Sequence, residues 1–273
     1  MQTRRLAGAG LGLVATVTLG VAGCTAGGGT AVPGASATPS ATGSPEVSPS
    51  AGSATDEAAA ALAASTTDLG STPFKFTMTS GSTVSLTGAM DPPNRAGTST
   101  LQITGGGSSL KVESLLIGSD LYAKLGGTNA NANKWFHIDA NRLPEGANIG
   151  IRPGQIDPAG TERFIKATSD VRQVEARGFA GTLDLNRAVG AAGISRAALD
   201  SYGPAAKSVP FRATVDEQGR LSTMTIDLPP LAGQPAQPLE IRYFDFGTAV
   251  AAQKPAAGEV VEASQDIYTL LGA

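Results

Sequence analysis

From Phe74 to Leu125 the chain alternates. Phe74, Phe76 and Met78 are apolar, and Lys75, Thr77 and Thr79 between them are polar. Val84 and Leu86 alternate with Ser85 and Thr87 in the same way. A period of two puts every second side chain on one face of a strand, so each such run is predicted to bury one face only. Three more runs follow, Thr98 to Thr104, Leu110 to Ile117 and Leu121 to Leu125. Asp91-Pro92-Pro93-Asn94, Gly105-Gly106-Gly107 and Gly118-Ser119-Asp120 separate them as turns. Trp135 to Asp139 continues the series after a Gly/Asn-rich tip. Consecutive strands joined by short turns form an antiparallel meander.

The pattern resumes downstream. Val171 to Arg177 and Gly181 to Leu185 read as strands, and Val209 to Val215 and Leu221 to Leu228 flank the turn Asp216-Glu217-Gln218-Gly219. Leu239 to Phe246 is the last strand. Helical stretches are predicted from Thr55, with Asp56 and Glu57 in its first turn, to near Gly70, over Gly160 to Ser169, from Asn186 to about Tyr202, and over Ser264 to Leu271. The fold class is therefore α+β: about ten strands in a single curved antiparallel sheet, a half-barrel with helices covering its concave face, because a sheet this wide must curl, split or be covered. Residues Leu143 to Pro158, rich in Gly and Pro, read either as an entrance loop or as a surface excursion.

The N-terminus carries an address. Arg4 and Arg5 precede an uncharged, glycine-diluted apolar run from Leu6 to Leu19. That is the layout of a secretory signal, and it is shorter than a membrane span. The run ends Val21-Ala22-Gly23-Cys24, which resembles a bacterial lipobox: small residues before a cysteine whose thiolate accepts a diacylglyceryl group. Residues 1–23 are read as the lipoprotein signal and Cys24, the single cysteine, as the lipid-attachment site; an unmodified cysteine that merely follows a signal is the plainer reading. Arg4-Arg5 also leaves twin-arginine export open beside an ordinary basic n-region. Residues 24–54 are a Ser/Pro/Gly-rich tether that cannot bury apolar surface, and residues 55–273 form one domain.

Charge excludes some partners. Loss of the signal removes two of the 20 Lys and Arg residues against 23 Asp and Glu, so the net charge moves from −3 to about −5. A mildly acidic chain without basic clusters does not suit nucleic acid, and without a polybasic patch the lipid must supply the membrane attachment. Catalytic and metal chemistry find little support. His137 is the single histidine and sits beside Trp135 and Phe136 on a strand, while a nucleophilic site needs base, orienter and nucleophile to converge. Cys/His zinc sites are excluded, no cofactor motif is present, and Asp139, Glu145, Asp157 and Glu162 are expected to be solvated.

The lipobox, the Ser/Pro tether, the Ala-rich first helix, the strands LYAKL and KWFHID, the hairpin VPFRATVDEQGRLSTMTIDLP and the tail IRYFDFGTAVAAQKPAAGEV together resemble the mycobacterial LppX/LprAFG family of lipoproteins, which shares the LolA-like fold. The likeness runs from Thr55 to Glu262 and is one of spacing and texture. It implies a half-barrel with an apolar cavity roofed by helices, no enzyme activity, and the binding and carriage of acylated lipid or glycolipid across the cell envelope, with an envelope transporter as a candidate partner. The place implied is the extracytoplasmic face of the cell membrane. Strand alternation makes Phe76, Met78, Leu86, Leu101, Ile103, Phe164, Ile226 and Leu228 the candidate cavity lining, with ordinary core packing the commoner fate of any one of them. The competing functional reading is a non-enzymatic interaction or sensor lipoprotein with a filled core.

Overall fold

The computed structural model describes residues 51–105, 107–126, 134–144, 147, 149–230 and 236–272. The signal, Cys24, most of the tether, the Gly/Asn-rich tip and Glu145 lie outside the described residues.

Among the described residues, twelve strands form one sheet. The first meander comprises β1 (Phe74–Ser80), β2 (Val84–Asp91), β3 (Ala96–Gly105), β4 (Ser108–Ile117), β5 (Asp120–Gly126) and β6 (Trp135–Ile138). The second comprises β7 (Thr168–Glu175), β8 (Gly178–Leu183), β9 (Val209–Val215), β10 (Leu221–Leu228) and β11 (Gln237–Phe244). β1 pairs with β11 and joins the two meanders at mid-sheet. The spatial order is β12-β6-β5-β4-β3-β2-β1-β11-β10-β9-β8-β7. A twisted sheet of this width curls.

Three departures from the alternation reading have local causes. β12 (Val260–Glu262) is too short to signal itself, and it lies parallel to β6, so the sheet is mostly rather than wholly antiparallel. The β7–β8 turn falls at Ala176-Arg177, and register irregularities between Ser169 and Arg172 and between Gln173 and Glu175 blur the period. The first helix, α1 (Ala51–Ala64), starts four residues before Thr55, inside the stretch read as tether. The other helices are α2 (Thr161–Lys166), α3 (Arg196–Tyr202) and α4 (Gln265–Leu271). Much of the expected 186–202 helix is 3-10 turns, broken at Gly190 and Gly193, where φ is +82° and +75°.

Register shows that the alternation runs in phase across the sheet. Leu86, Leu101, Val112 and Leu125 are mutual cross-strand partners, as are Met90, Gly97, Leu116 and Leu121. Phe76, Tyr243, Met78, Ile241 and Met224 extend the same face to the other half. All of these except Gly97 are buried in a single apolar cluster.

The topology dictates two long crossings. β6 lies near one edge and β7 at the other, so residues 139–167 must traverse the sheet. They cross the apolar face, burying Ile149, Ile151, Phe164 and Ile165 against it. Residues 245–259 run from β11 to β12 across the opposite face, where Lys254 Nζ meets Asp120 Oδ2 at 3.3 Å and Lys134 Nζ donates to Gly258 O at 2.7 Å. This second strap accounts for Leu115 and Tyr122 being buried although they point away from the main core.

Candidate functional site

The apolar face is not completely filled. A cavity of about 520 Å³ opens between it and the 139–167 crossing. Met78, Val84, Leu86, Leu101 and Ile103, from β1 to β3, form its floor. Residues 147–163 and the turn at 190–193 form its walls. The volume is within the range of small-molecule sites, roughly 300–1,000 Å³. An aliphatic floor without a charged group offers dispersion and water exclusion, not chemistry. Polar side chains stand on the exposed side. The Arg152 guanidinium donates to the Pro144 carbonyl, Arg163 Nη1 donates to Val189 O at 3.0 Å, and Glu162 pairs with Lys166 at 2.5 Å. Ile156, 43% exposed, is an apolar side chain in the same wall.

One wall is a seat occupied by the chain itself. Gly88, Ser99, Ser114 and Ala123 are successive cross-strand partners on the apolar face, a row of small side chains between two rows of large ones that only Gly97 interrupts. Ile149 and Gly150 lie over its two serines, Ile151 reaches Gly97 of the next row, and Phe76 packs over Gly88. Ser114 Oγ donates to the Ile149 carbonyl. Gly150 has φ +82°, and a Cβ added there would lie 2.5 Å from Ser99 Oγ and 3.0 Å from Leu86 Cδ1, so only glycine fits. Full burial of Ile149 and Ile151 contributes about 1.5–3 kcal/mol each. Thus residues expected to form either an entrance loop or a surface excursion are in part core.

The crossing is pinned at its other end by a buried polar node. Tyr243 Oη donates to Asp157 Oδ1 at 2.6 Å and lies 2.7 Å from Thr161 Oγ1. The amides of Gly160 and Glu162 also donate to the Asp157 carboxylate, at 3.1 and 2.9 Å, capping α2. Burial pushes the Asp157 carboxyl above its ordinary value of 3.8, against the pull of these donors. Burial, and then the neighbouring carboxylate, raise the Tyr243 phenol well above 10.0. Asp157 is therefore not the solvated carboxylate expected from the sequence; its partner Tyr243 lies 86 residues away. Tyr243→Phe leaves Asp157 one donor short in a buried site and is expected to cost about 1–3 kcal/mol, read as a lowered urea midpoint with an unchanged slope.

The eight residues proposed from alternation divide. Met78, Leu86, Leu101 and Ile103 line the cavity. Phe76, Phe164, Ile226 and Leu228 are buried elsewhere: Phe76 is 2.8 Å from where a Cβ on Gly88 would sit, Ile226 pairs with Phe211 and Leu239, and Phe164 is on α2. Alternation missed Val84 and the whole wall from 147 to 163. The one available signal in that wall was the period-two pair Ile149 and Ile151. His137 is on the opposite face, with Nδ1 3.1 Å from Glu262 Oε1 and its ring 5.4 Å from that of Tyr122. Asp139 caps the turn that follows β6. Among the described residues no group of three His, Cys, Asp or Glu side chains could hold a metal ion. No described helix is long and apolar enough to cross a membrane.

No protein-family model matches the chain, and no curated protein does. Among solved structures, a LolA superfamily protein from Nitrosomonas europaea aligns with 72% of this chain and 94% of its own length, at 9% identity and a TM-score of 0.24. A likeness of that extent carries no argument, and the fold rests on the strand order and register given above.

Proposed function

We propose that this protein is a lipid-anchored lipoprotein of the extracytoplasmic face of the cell membrane. Its domain holds an acylated lipid or glycolipid in the cavity between β1–β3 and residues 147–163 and carries it across the cell envelope. The observation that carries the reading is the cavity itself, about 520 Å³ over a floor of Met78, Val84, Leu86, Leu101 and Ile103. Its floor suits an alkyl chain, and its exposed polar wall suits a head group left in water. The lipobox at Cys24 and the textural likeness to LppX/LprAFG lipoproteins point the same way.

The reading is of a carrier without catalysis. The single histidine is bound to Glu262 across the sheet from the cavity, and the buried Asp157 carboxylate accepts from four donors at the start of a helix. An interaction lipoprotein with a filled core would place interlocked large side chains where the cavity lies. Transfer between vesicles tests the proposal. The full chain is expected to speed the movement of a labelled fatty acid from donor to acceptor vesicles, in proportion to protein concentration. No acceleration at any concentration would refute it.

A further inference from the structure

We infer that Ile149-Gly150-Ile151 occupies a second compartment of the ligand site, and that a lipid with two acyl chains displaces this segment to fill it. The inference rests on the lipid-carrier reading above. The compartment is the row Gly88, Ser99, Ser114 and Ala123, whose registers run directly opposite one another across β2 to β5. None of the four has a side chain larger than a hydroxymethyl; the Phe76 ring fills the Gly88 end, so the channel sunk into the apolar face runs from Ser99 to Ala123, about 10 Å or two strand spacings. Its banks are the row Leu86, Leu101, Val112 and Leu125 on one side and Met90, Leu116 and Leu121 on the other, the second bank being interrupted on β3 by Gly97. Leu86 and Leu101 belong to one bank and also to the cavity floor, and Ile149 and Gly150 line the cavity as well, so channel and cavity are neighbours.

A second observation points to a ligand. Ser99 Oγ is buried in the channel, in a residue only 5% exposed, and has no hydrogen-bond partner. Buried hydroxyls are rarely left so. Ser114 next to it spends its hydroxyl on the carbonyl of Ile149. Two adjacent hydroxyls on an otherwise apolar channel fit the ester carbonyls of an acyl chain: one would replace the Ile149 carbonyl at Ser114, and another would satisfy Ser99. Ile149 and Ile151 thus stand in for hydrocarbon, and the Ile149 carbonyl for an ester.

The segment can be locked and loosened. A Cβ on Gly150 would lie 3.4 Å from Ser99 Cβ, close to the spacing that a disulfide spans. The full chain is used with Cys24→Ser, so that Ser99→Cys/Gly150→Cys introduces the only thiols. The probes are oleic acid, with one chain, and dioleoylphosphatidylglycerol in vesicles, with two. The readout is the ratio of two-chain to one-chain affinity. Oxidation is expected to lower it at least tenfold, and dithiothreitol to restore it. Gly150→Ala, which cannot seat against Ser99, is expected to raise the ratio severalfold by lifting the cost of displacement. An oxidised pair with an unchanged ratio, or a Gly150→Ala ratio at or below wild type, overturns the inference. Should the cysteine pair fail to fold, Gly150→Ala decides alone. Wild-type protein that binds oleate but not the two-chain lipid refutes the second compartment only; binding of neither probe refutes the carrier reading as well.

Discussion

Leu101→Trp is expected to weaken lipid uptake by ten- to a hundredfold while leaving the sheet intact. Leu101 sits mid-floor, flanked in register by Leu86 and Val112, and its side chain faces the cavity. An indole there projects into space that an alkyl chain would fill. Forcing ligand and indole together incurs an overpacking cost of about 1–3 kcal/mol, and 1.4 kcal/mol is tenfold in affinity. Because the cavity is open before the change, the indole displaces ligand rather than protein. Cooperative thermal unfolding should persist. The control is Gln102→Trp, one residue along the same strand, where the side chain is exposed on the other face. Equal uptake losses in the two variants would mean that the cavity is not where lipid binds.

Cys24→Ser is expected to move the protein from the membrane fraction to the soluble fraction almost completely. One acyl chain gives marginal, reversible attachment, and stable anchoring needs two signals. A lipobox cysteine supplies a diacylglyceryl group, and the chain has no polybasic patch to substitute for it. A high-salt wash separates the cases. It should leave the wild type in the pellet and find little of the variant there. Retention of Cys24→Ser in the washed pellet would place the anchor elsewhere in the chain.

Much of the sheet was legible because alternation is a local property. The Val209–Leu228 hairpin shows why: β9 alternates strictly and β10 does so from Met224 to Leu228, past a register shift after Leu221, and Asp216 Oδ1 closes the turn by accepting from the amides of Gln218 and Arg220, both at 2.9 Å. Facing direction was legible for the same reason. What alternation cannot convey is which part of a face another segment covers. Met78 and Ile226 have the same pattern, but one borders the cavity and the other meets Phe211 and Leu239. The difference is where residues 139–167 cross, and that follows from β7 taking the edge opposite β6. The burial of Asp157 escapes sequence reading for a related cause, since it depends on a tyrosine 86 residues further along, on β11. β12 escaped because three residues carry no period, and its pairing depends on the strap that returns the chain to β6. The Gly/Pro composition of 143–158 hid a core element, because glycine there serves close approach to Ser99 rather than a turn at the surface.

The most direct test is native mass spectrometry of the full chain matured in a host with a related envelope. The account predicts a protein carrying one acylated lipid in stoichiometric amount, identifiable by its fragments and absent from Leu101→Trp. A bare protein that also takes up no lipid added afterwards would contradict it.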